Sequence, residues 1–330
     1  MWKLGNLQID SKVVLAPMAG ITFDSYRRFM AKFGYGLAVT EMVSDMGLIY
    51  GNEETKTYIS FNKGKELIGV QLFGHDPETF KKAATIALSL NNNIDFFDIN
   101  MGCPVPKVVN TGAGSKLMDN PKLCGDIVRA IKEVTNLPVS AKIRLGWDNK
   151  SINFLDVIKE LENAGVDMIA IHARTKKELY SGEPHYDLLK DLRSKMKVPL
   201  VVSGNIFSLD DAIRAMDITG AEAVMVARGG VGNPYLLKQI NQFYIDGDRL
   251  SKPSLKEQLS WCYELGKMIV EEKGEYTAMR VYRSIASKFL NGFPNNKSYK
   301  VRLTTELVDL DSLKRILKEY ADEEGVEFSL

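Results

Sequence analysis

Cys103 is the residue whose surroundings most directly suggest chemistry, because it stands in a Gly-Cys-Pro turn shortly after an apolar run. The other cysteines, Cys124 and Cys262, lie in helical patterns and are interpreted as small buried apolar residues. A thiol with an ordinary pKa of about 8.5 is mostly protonated at neutral pH. Cys103 can therefore serve as a general acid or, if it is activated, as a nucleophile.

The segment from Cys103 to Met118 is long for a connection between two elements, and it contains Lys107 and Lys116 but no acidic residue. Within it, the glycines of Gly112-Ala113-Gly114 allow the backbone to approach a bound molecule closely. Loops of this length over an active site are usually lids or substrate loops. We therefore expect this loop to cover a ligand beside Cys103.

Lys142 and His172 each stand at or beside the end of an apolar run. An inward-pointing Lys142 has two chemical interpretations, a Schiff-base amine or a fixed positive charge opposite an electron-rich ring or an anion. His172 is one of three histidines, and Arg174 follows two positions later, so we predict that His172 contacts a ligand. The other histidines, His75 and His185, are interpreted as structural or solvated.

Eight short apolar, β-branched runs must position these groups. Helical patterns separate the runs and begin with recognisable caps, as at Asp76-Pro77, Asn120-Pro121 and Ser208-Leu209. Eight βα units with strands apolar on both faces predict a TIM (β/α)8 barrel, an α/β fold. The open dinucleotide-binding sheet is disfavoured, since no Gly-x-Gly-x-x-Gly follows the first run. The runs centre on residues 13–16, 37–40, 68–72, 96–99, 139–143, 168–171, 200–202 and 223–226.

The C-terminal ends of barrel strands carry the active site, so the residues that end the eight runs are candidates. Two of these ends, Ser203-Gly204-Asn205 and Ala227-Arg228-Gly229-Gly230, are glycine-rich, and the second carries a cation, which is typical of a phosphate site. The candidates in chain order are Met18, Glu41, Gln71, Asn100, Lys142, His172, Ser203 to Asn205, and Arg228.

Strand signals stop after the eighth unit. A turn-rich junction follows residue 245, and residues 255–272, 276–290 and 311–320 have the apolar spacing of helices, broken at 291–294. The sequence therefore predicts a barrel domain over residues 1–245 and a small C-terminal all-helical domain over residues 246–330.

A basic segment lies within the predicted helical domain, where residues 276–302 contain six basic residues and no acidic one. The whole chain has 43 Lys and Arg against 42 Asp and Glu, so a nucleic-acid partner would need a local patch such as this. Aromatic residues are interleaved with the basic ones, which favours a phosphate-backbone surface. The basic residues are Arg280, Arg283, Lys288, Lys297, Lys300 and Arg302, and the aromatic ones are Tyr276, Tyr282, Phe289, Phe293 and Tyr299.

The composition is that of a globular protein, with 45% hydrophobic and 26% charged residues in a chain of 330. Three cysteines without CxxC spacing indicate a reducing compartment and no metal site. The N-terminus lacks the pattern of a signal peptide, and no apolar run reaches about 18 residues. We expect a cytoplasmic protein with no membrane association, no metal and no obligate protein partner.

The order of these motifs resembles the bacterial tRNA-dihydrouridine synthase family, and within it the B-type synthases. The most specific match is the segment from Asp98 to Pro104 with the lysine and glycines that follow it. Nearly the whole chain takes part in the resemblance. The other matching motifs are Leu15-Ala16-Pro17-Met18-Ala19-Gly20, Thr40-Glu41-Met42-Val43-Ser44, Val70-Gln71-Leu72-Phe73-Gly74, Lys142-Ile143-Arg144, Ile171-His172-Ala173-Arg174-Thr175 and Tyr180-Ser181-Gly182.

The resemblance implies an FMN cofactor at the barrel mouth and NADPH as the reductant. In the family, reduced FMN gives a hydride to one carbon of the uracil C5–C6 double bond, and the residue matching Cys103 protonates the other. The substrate is tRNA, whose uridine must be extruded into the pocket. The implied FMN-binding residues are Ala16, Pro17, Met18, Gln71, Lys142, His172, Ser203, Gly204, Asn205, Ala227 and Arg228. The implied substrate-binding residues are Asn100, Arg144, Arg174, Arg280, Arg283 and Lys288.

Three other functions are compatible with parts of the pattern. An FMN barrel that reduces a free pyrimidine or an enone would need the phosphate site but no basic tail. A lyase would use Lys142 as a Schiff base and would be colourless. A tRNA-binding protein without flavin would have no use for Cys103, Lys142 and Arg228 together.

Overall fold

The computed structural model describes residues 1–62 and 64–329. Its centre is a closed barrel of eight parallel strands in the order β10-β3-β4-β5-β6-β7-β8-β9, which confirms the predicted TIM (β/α)8 barrel. A two-stranded antiparallel hairpin, β1–β2, precedes it. The strands are β1 (Trp2–Leu4), β2 (Leu7–Ile9), β3 (Val13–Leu15), β4 (Leu37–Ser44), β5 (Leu67–Phe73), β6 (Phe96–Met101), β7 (Val139–Ile143), β8 (Met168–His172), β9 (Leu200–Ser203) and β10 (Ala223–Val226).

Helices follow the barrel strands and form the end of the chain. Three of the predicted starts are confirmed, because the side chains of Asp76, Asn120 and Ser208 each cap a helix. The α-helices are α1 (Asp24–Ala31), α2 (Asp45–Ile49), α3 (Glu53–Thr57), α4 (Pro77–Leu90), α5 (Pro106–Val109), α6 (Pro121–Lys132), α7 (Phe154–Asn163), α8 (Leu209–Thr219), α9 (Tyr235–Asp246), α10 (Leu255–Lys273), α11 (Glu275–Ala286), α12 (Asn296–Thr305) and α13 (Leu310–Glu323). Short 3-10 helices span Gly114–Asp119, Tyr186–Leu189, Leu192–Lys195, Arg228–Gly230 and Ser287–Leu290.

The barrel interior is packed with alternating large and small side chains. Phe96 on β6 lies opposite Gly69 on β5, where a Cβ atom would stand 2.3 Å from two carbons of the Phe96 ring. Only a glycine leaves room for this ring in a close-packed interior. The apolar cluster around Phe96 contains Val14, Ala16, Leu37, Val39, Met168, Ala170, Val201, Ala223 and Met225.

The N-terminal hairpin closes the opposite end of the barrel from the strand C-termini. Gly5, in its turn, packs against Pro138 and Asp167, which directly precede β7 and β8. Trp2, Leu4 and Ile9 extend the interior apolar cluster. The sequence does not predict this hairpin, because two strands of three residues are too short to show a recognisable alternation.

The described chain divides into two compact units, residues 1–22 with 35–227 and residues 23–34 with 228–330. The second unit contains α1 and α9 to α13. Within it, the predicted helical segments 255–272, 276–290 and 311–320 are found, whereas α12 was not predicted. That helix has only Tyr299 and Leu303 buried, which is too little apolar periodicity to recognise. The functional division at residues 245 and 246 stays a prediction.

No helix in residues 1–62 and 64–329 combines the length and apolarity needed to cross a membrane. Within the same ranges, no group of three or more His, Cys, Asp or Glu side chains could hold a metal ion.

We predict that Gly69→Ala lowers the free energy of unfolding by about 1–3 kcal/mol, because the added methyl group overpacks the interior against Phe96. Adding Phe96→Leu should recover part of this loss by making room, so the two substitutions should not be additive. Urea unfolding followed by circular dichroism measures both effects. Strict additivity would show that the two side chains do not share this space.

Candidate active site at the C-terminal end of the barrel

The register of the parallel strands brings the candidate residues together. On β5, β6 and β7, Gln71, Asp98 and Ser140 are paired across the sheet and lie at one level. Asn100 and Lys142 are paired two residues further along β6 and β7. Because side chains alternate along a strand, residues two apart point to the same face. All five therefore point to the face that Phe96 shares, the barrel interior.

Cys103 stands in a turn that leaves β6 and is partly exposed. Its backbone N–H donates to Asn100 Oδ1 over 2.9 Å, and the N–H of Gly102 donates to the same oxygen over 3.2 Å. The long loop folds back onto this turn, since the Ser115 N–H donates to the Cys103 carbonyl over 3.0 Å. A Cβ at Gly114 would lie 2.7 Å from that carbonyl oxygen. The glycine is therefore needed for the loop to pack against Cys103.

Burial raises the pKa of the Cys103 thiol above its ordinary value. A backbone hydrogen bond from Val105 and the positive charges of Arg144 and Lys142 oppose this shift without cancelling it. The thiol is therefore protonated at neutral pH, which favours the general-acid interpretation over a resting thiolate nucleophile.

Lys142 is the cation that β7 presents beside Asn100 at the end of the barrel. Burial, followed by the charge of Arg144, lowers the pKa of its ammonium group to about 8. The charges of Asp98 and Cys103 act in the opposite direction. Lys142 is thus mostly protonated at neutral pH, and it is a fixed positive charge there rather than a free amine.

Asp98 is a buried carboxylate that sequence analysis used only as part of a motif. Its Oδ2 accepts from Gln71 Nε2 and its Oδ1 from Ser140 Oγ, each over 2.6 Å. Burial raises the pKa of Asp98, and these two bonds together with the charge of Lys142 counteract the rise. The spacing of Asp98 and Asn100, two residues apart on one strand, was the signal that could have placed both inside the barrel.

Arg144 holds the loop after β8 in place. Its Nε donates to the Gly102 carbonyl over 2.8 Å, and its Nη1 donates to the carbonyls of Thr175 and Leu179, also over 2.8 Å. The guanidinium therefore ties the Cys103 turn to the loop that follows His172. That Arg144 contacts a substrate through its remaining N–H groups stays a prediction.

Arg174 holds the same loop further along. Its Nε donates to the Ser181 carbonyl over 3.0 Å and its Nη2 to the Gly182 carbonyl over 2.5 Å. Its Nη1 lies 3.2 Å from His172 Nε2. A guanidinium can only donate, so Nε2 accepts and the neutral His172 ring carries its proton on Nδ1. Arg174 thus fixes both the loop and the tautomer of His172.

Tyr180 is a second residue for which the sequence indicates a family motif but no individual role. It is 52% exposed, although it belongs to the barrel mouth. Its ring centroid lies 6.1 Å from that of His172 and 5.6 Å from Arg144 Cζ. An exposed aromatic ring between a histidine and a buried arginine can contact a planar ligand.

The predicted phosphate loop has an unusual backbone after β9. Gly204 has φ +131° and Asn205 has φ +49°. A Cβ at Gly204 would lie 3.1 Å from Pro184 and 3.3 Å from His172, and the Tyr186 hydroxyl donates to the Gly204 carbonyl over 2.5 Å. The φ angle therefore favours glycine at position 204, the space around it is tight, and the turn lies beside His172.

The remaining predicted cofactor residues lie where the strands end. The Ala16 N–H donates to the Val226 carbonyl over 3.0 Å, which joins the ends of β3 and β10. Pro17, Met18 and Ala227 are partly exposed. Arg228 is exposed and begins the 3-10 helix Arg228–Gly230, in the second compact unit.

Only some residues of the basic segment, residues 276–302 of the second unit, are exposed. Arg280 and Lys288 are exposed, whereas Arg283 donates Nε to the Leu307 carbonyl over 2.9 Å. Arg280 donates Nη1 to the hydroxyl of Tyr276, which is 73% exposed. Three of the five interleaved aromatic residues, Tyr282, Phe289 and Tyr299, are buried in the core. The expectation of an aromatic and basic surface is wrong for these three, because helix spacing turns them inward.

Comparison with known proteins agrees with this architecture. The model of the family described as "Dihydrouridine synthase (Dus)" matches residues 14–323. The chain belongs to the dihydrouridine synthase family. This confirms the family resemblance drawn from the sequence.

Two relatives match nearly all of the chain. A probable tRNA-dihydrouridine synthase of Rickettsia conorii is 34% identical over 301 residues, which is 91% of this chain and 90% of the relative. The tRNA-dihydrouridine synthase B of Pasteurella multocida is 32% identical over 302 residues, 90% of this chain and 89% of the relative. Both matches run through the barrel and into the helical unit.

Solved structures outside the synthase family share the fold. The histamine dehydrogenase of Rhizobium sp. 4-9 has a TM-score of 0.52 at 15% identity and covers 73% of this chain and 47% of its own. An amine oxidase, HisD, of Pseudomonas geniculata N1 has a TM-score of 0.54 at 12% identity and covers 78% of this chain and 51% of its own. At such identity the likeness shows the fold alone.

We predict that iodoacetamide alkylates Cys103 selectively in the folded protein, since Cys124 and Cys262 are buried. Because burial raises the thiol pKa, the alkylation rate should rise at a higher pH than for a free cysteine. Lys142→Met removes a positive charge that favours the thiolate, so the midpoint of the profile should move further upward. Rates against pH, with the exposed Lys177→Met as control, measure this. A downward shift in Lys142→Met would contradict the proximity of the two groups.

Proposed function

We propose that this chain reduces the C5–C6 double bond of uridines in tRNA to 5,6-dihydrouridine, with bound FMN, with NADPH as reductant and with Cys103 as proton donor. The observation that carries the proposal is a thiol kept protonated in a turn at the barrel mouth of a dihydrouridine synthase family member. The names of the two relatives support tRNA as the substrate. A tRNA substrate would place the chain in the cytoplasm.

The ends of the strands fit the ring of FMN. Lys142 supplies a positive charge of the kind that an electron-rich ring requires, and Gln71 and His172 would contact polar atoms of the ring beside it. Ala16, Pro17 and Met18 would line the same region. When FMN is bound and reduced by NADPH, it supplies the hydride that one carbon of the double bond receives.

The phosphate of FMN fits the loop after β9. Ser203, Gly204 and Asn205 would hold it with their backbone N–H groups, since a positive-φ turn can direct successive amides at an anion. Ala227 and Arg228 would complete the phosphate contacts, with Arg228 supplying the charge. The preference for glycine at position 204 supports a close approach of backbone to ligand.

Cys103 would protonate the uracil carbon that does not receive the hydride. The S–H bond breaks, a C–H bond forms, and a thiolate remains. Lys142 and Arg144 favour that thiolate, whereas burial keeps the thiol protonated before the step. The turn therefore supplies a proton donor whose product is stabilised by neighbouring charge.

Recognition of the extruded uridine would involve Asn100, Arg144 and Arg174. Arg144 uses Nε and Nη1 on backbone carbonyls, and in the part of the chain that the structure describes its Nη2 is left for a ligand. Arg174 would act beside it through the loop that it holds. Asn100 would shape the turn that faces the base, because its side chain holds Gly102 and Cys103.

The barrel, predicted as residues 1–245, would carry out the chemistry, and the helical domain, predicted as residues 246–330, would bind the tRNA backbone. Arg280 and Lys288 are exposed and suit phosphate contacts directly. Arg283 has one N–H group occupied by the Leu307 carbonyl, and the rest of its guanidinium would contribute charge.

An absorption experiment tests the proposed function. We predict that the purified protein, supplied with FMN, shows flavin bands that NADPH bleaches without oxygen and that unmodified tRNA restores. Restoration by free uridine but not by tRNA would contradict the tRNA substrate, and the absence of flavin binding would contradict the cofactor.

Cys103→Ala should keep flavin binding and bleaching by NADPH but lose about 10²–10⁴-fold in the rate of uridine reduction, the usual contribution of a general acid. Single-turnover reoxidation by tRNA measures that step. Buried Cys124→Ala is the matched control and should retain it. Native reoxidation in Cys103→Ala would remove the thiol from its role.

Charge reversal tests the tRNA surface. We predict that Arg280→Glu with Lys288→Glu weakens tRNA binding and flattens its dependence on salt, because fewer counterions are released. The control reverses two lysines on the outer barrel helices, Lys122 and Lys159, and should change affinity less. Filter binding across a salt series measures both. Equal effects in the two double variants would show only non-specific charge.

A further inference from the structure

A chain of hydrogen bonds inside the barrel ends at the backbone of Cys103. Ser140 Oγ and Gln71 Nε2 donate to the two oxygens of Asp98, each over 2.6 Å. Asn100 Nδ2 in turn donates to Gln71 Oε1 over 2.8 Å. The N–H groups of Gly102 and Cys103 then donate to Asn100 Oδ1. We call the bonds from Asp98 through Gln71 and Asn100 to these two N–H groups the amide relay.

The direction of the amide relay is set at both ends. Backbone N–H groups can only donate, so the Asn100 atom that faces Gly102 and Cys103 must be its oxygen. Its amino group then faces Gln71, which must present its own oxygen there. The amino group of Gln71 therefore faces Asp98, and the carboxylate is an acceptor that satisfies it. A flip of either amide would set two donors or two acceptors against each other.

Because these residues are buried, an amide in the wrong orientation would lower the stability of the fold. Asp98 and Gln71 are fully buried, and Asn100 is nearly so. In such surroundings water cannot replace a hydrogen bond that is lost, and an unmatched polar group is unfavourable. The orientation of each amide is therefore transmitted to the next one.

We propose that Asp98 and Gln71 are positioning residues for Cys103, and that the amide relay holds the thiol-bearing turn in one conformation. Asp98 sets the orientation of Gln71, Gln71 sets that of Asn100, and Asn100 holds the two N–H groups of the turn. The consequence for proton donation rests on the proposed function, whereas the hold on the turn does not.

Moving the carboxylate along the amide relay tests its direction. In Asn100→Asp, two carboxylates face the single amino group of Gln71, and one of them is left opposite an oxygen. In the double variant Asp98→Asn with Asn100→Asp, the amide now at position 98 can donate to Gln71, and Gln71 can donate to the carboxylate now at position 100. That carboxylate can still accept from the turn. Asp98→Asn alone keeps the native direction, since the oxygen of the new amide can accept from Gln71 while its amino group faces the hydroxyl oxygen of Ser140.

The readout is hydrogen–deuterium exchange at the amides of Gly102 and Cys103 in the full-length holoenzyme, together with the alkylation rate of Cys103. We expect Asn100→Asp to raise exchange by about tenfold or more, and the double variant to return it to within about threefold of native. Asp98→Asn alone should stay near native. A double variant that exchanges as fast as Asn100→Asp would overturn the proposal, because a merely structural loss would not be rescued.

Gln71→Met provides the second test if Asn100→Asp does not fold. It removes the middle of the amide relay at similar volume, so exchange at Gly102 and Cys103 should rise while that of Ile169 on β8 stays slow. The matched control is Ser140→Ala, which removes a bond to Asp98 outside the amide relay and should leave the turn unchanged. Native exchange in Gln71→Met would overturn the proposal. Because Gln71 is also a proposed FMN contact, each variant is measured with and without added FMN, and only a rise in exchange that is also present without FMN supports the amide relay. Neither measurement needs tRNA or turnover, so failure here is distinguishable from failure of the proposed function.

Discussion

The register of β6 with β5 and β7 is the constraint on which the site depends. Parallel pairing sets Gln71, Asp98 and Ser140 at one level of the barrel, and Asn100 and Lys142 two residues further along. A slip of one residue would turn this polar set outward and bring apolar neighbours inward. The packing of Phe96 against Gly69 resists such a slip, because the glycine alone leaves space for the ring there. The apolar contact of Phe96 with Gly69 thus helps to hold the polar residues of the next level in register.

Charge at the barrel mouth includes the buried carboxylate of Asp98 and three nearby cations. Lys142, Arg144 and Arg174 are cations in a region of restricted solvent, and Asp98 is an acid whose charge acts on Lys142. Arg144 and Lys142 favour the thiolate of Cys103, but burial outweighs them and keeps the thiol protonated. A site with surplus positive charge and a protonated thiol suits an anionic, electron-rich ligand and a proton-transfer step. The two buried arginines also hold the surrounding loops through backbone carbonyls, so they position the site as well as charge it.

The helical unit shows how one sequence pattern can serve packing and surface chemistry together. Tyr282 is fully buried and donates its hydroxyl to the Cys262 carbonyl, while Arg280, two positions before it, is exposed. Along an α-helix, residues two apart lie on opposite sides, so an alternation of basic and aromatic residues separates into a charged face and a core. The aromatic residues thus stabilise the unit, and its charge remains available to a polyanion.

Local patterns in the sequence determined the eight strands, the barrel, the helix caps and the family, because alternation, turn residues and motif order are properties of neighbouring positions. They also placed Cys103, Lys142 and His172 at strand ends, where the barrel fold puts chemistry. The two short strands of the hairpin and α12 lacked enough periodicity to be seen. Only the tertiary structure decided which donors already have acceptors: that Arg144 and Arg174 bond loop carbonyls, that Tyr299 belongs to the core, and that Asp98 reaches Cys103 through two amides. These outcomes depend on contacts between residues far apart in the chain. Burial, which keeps Cys103 protonated and makes a misoriented amide unfavourable, exists only once the barrel has closed.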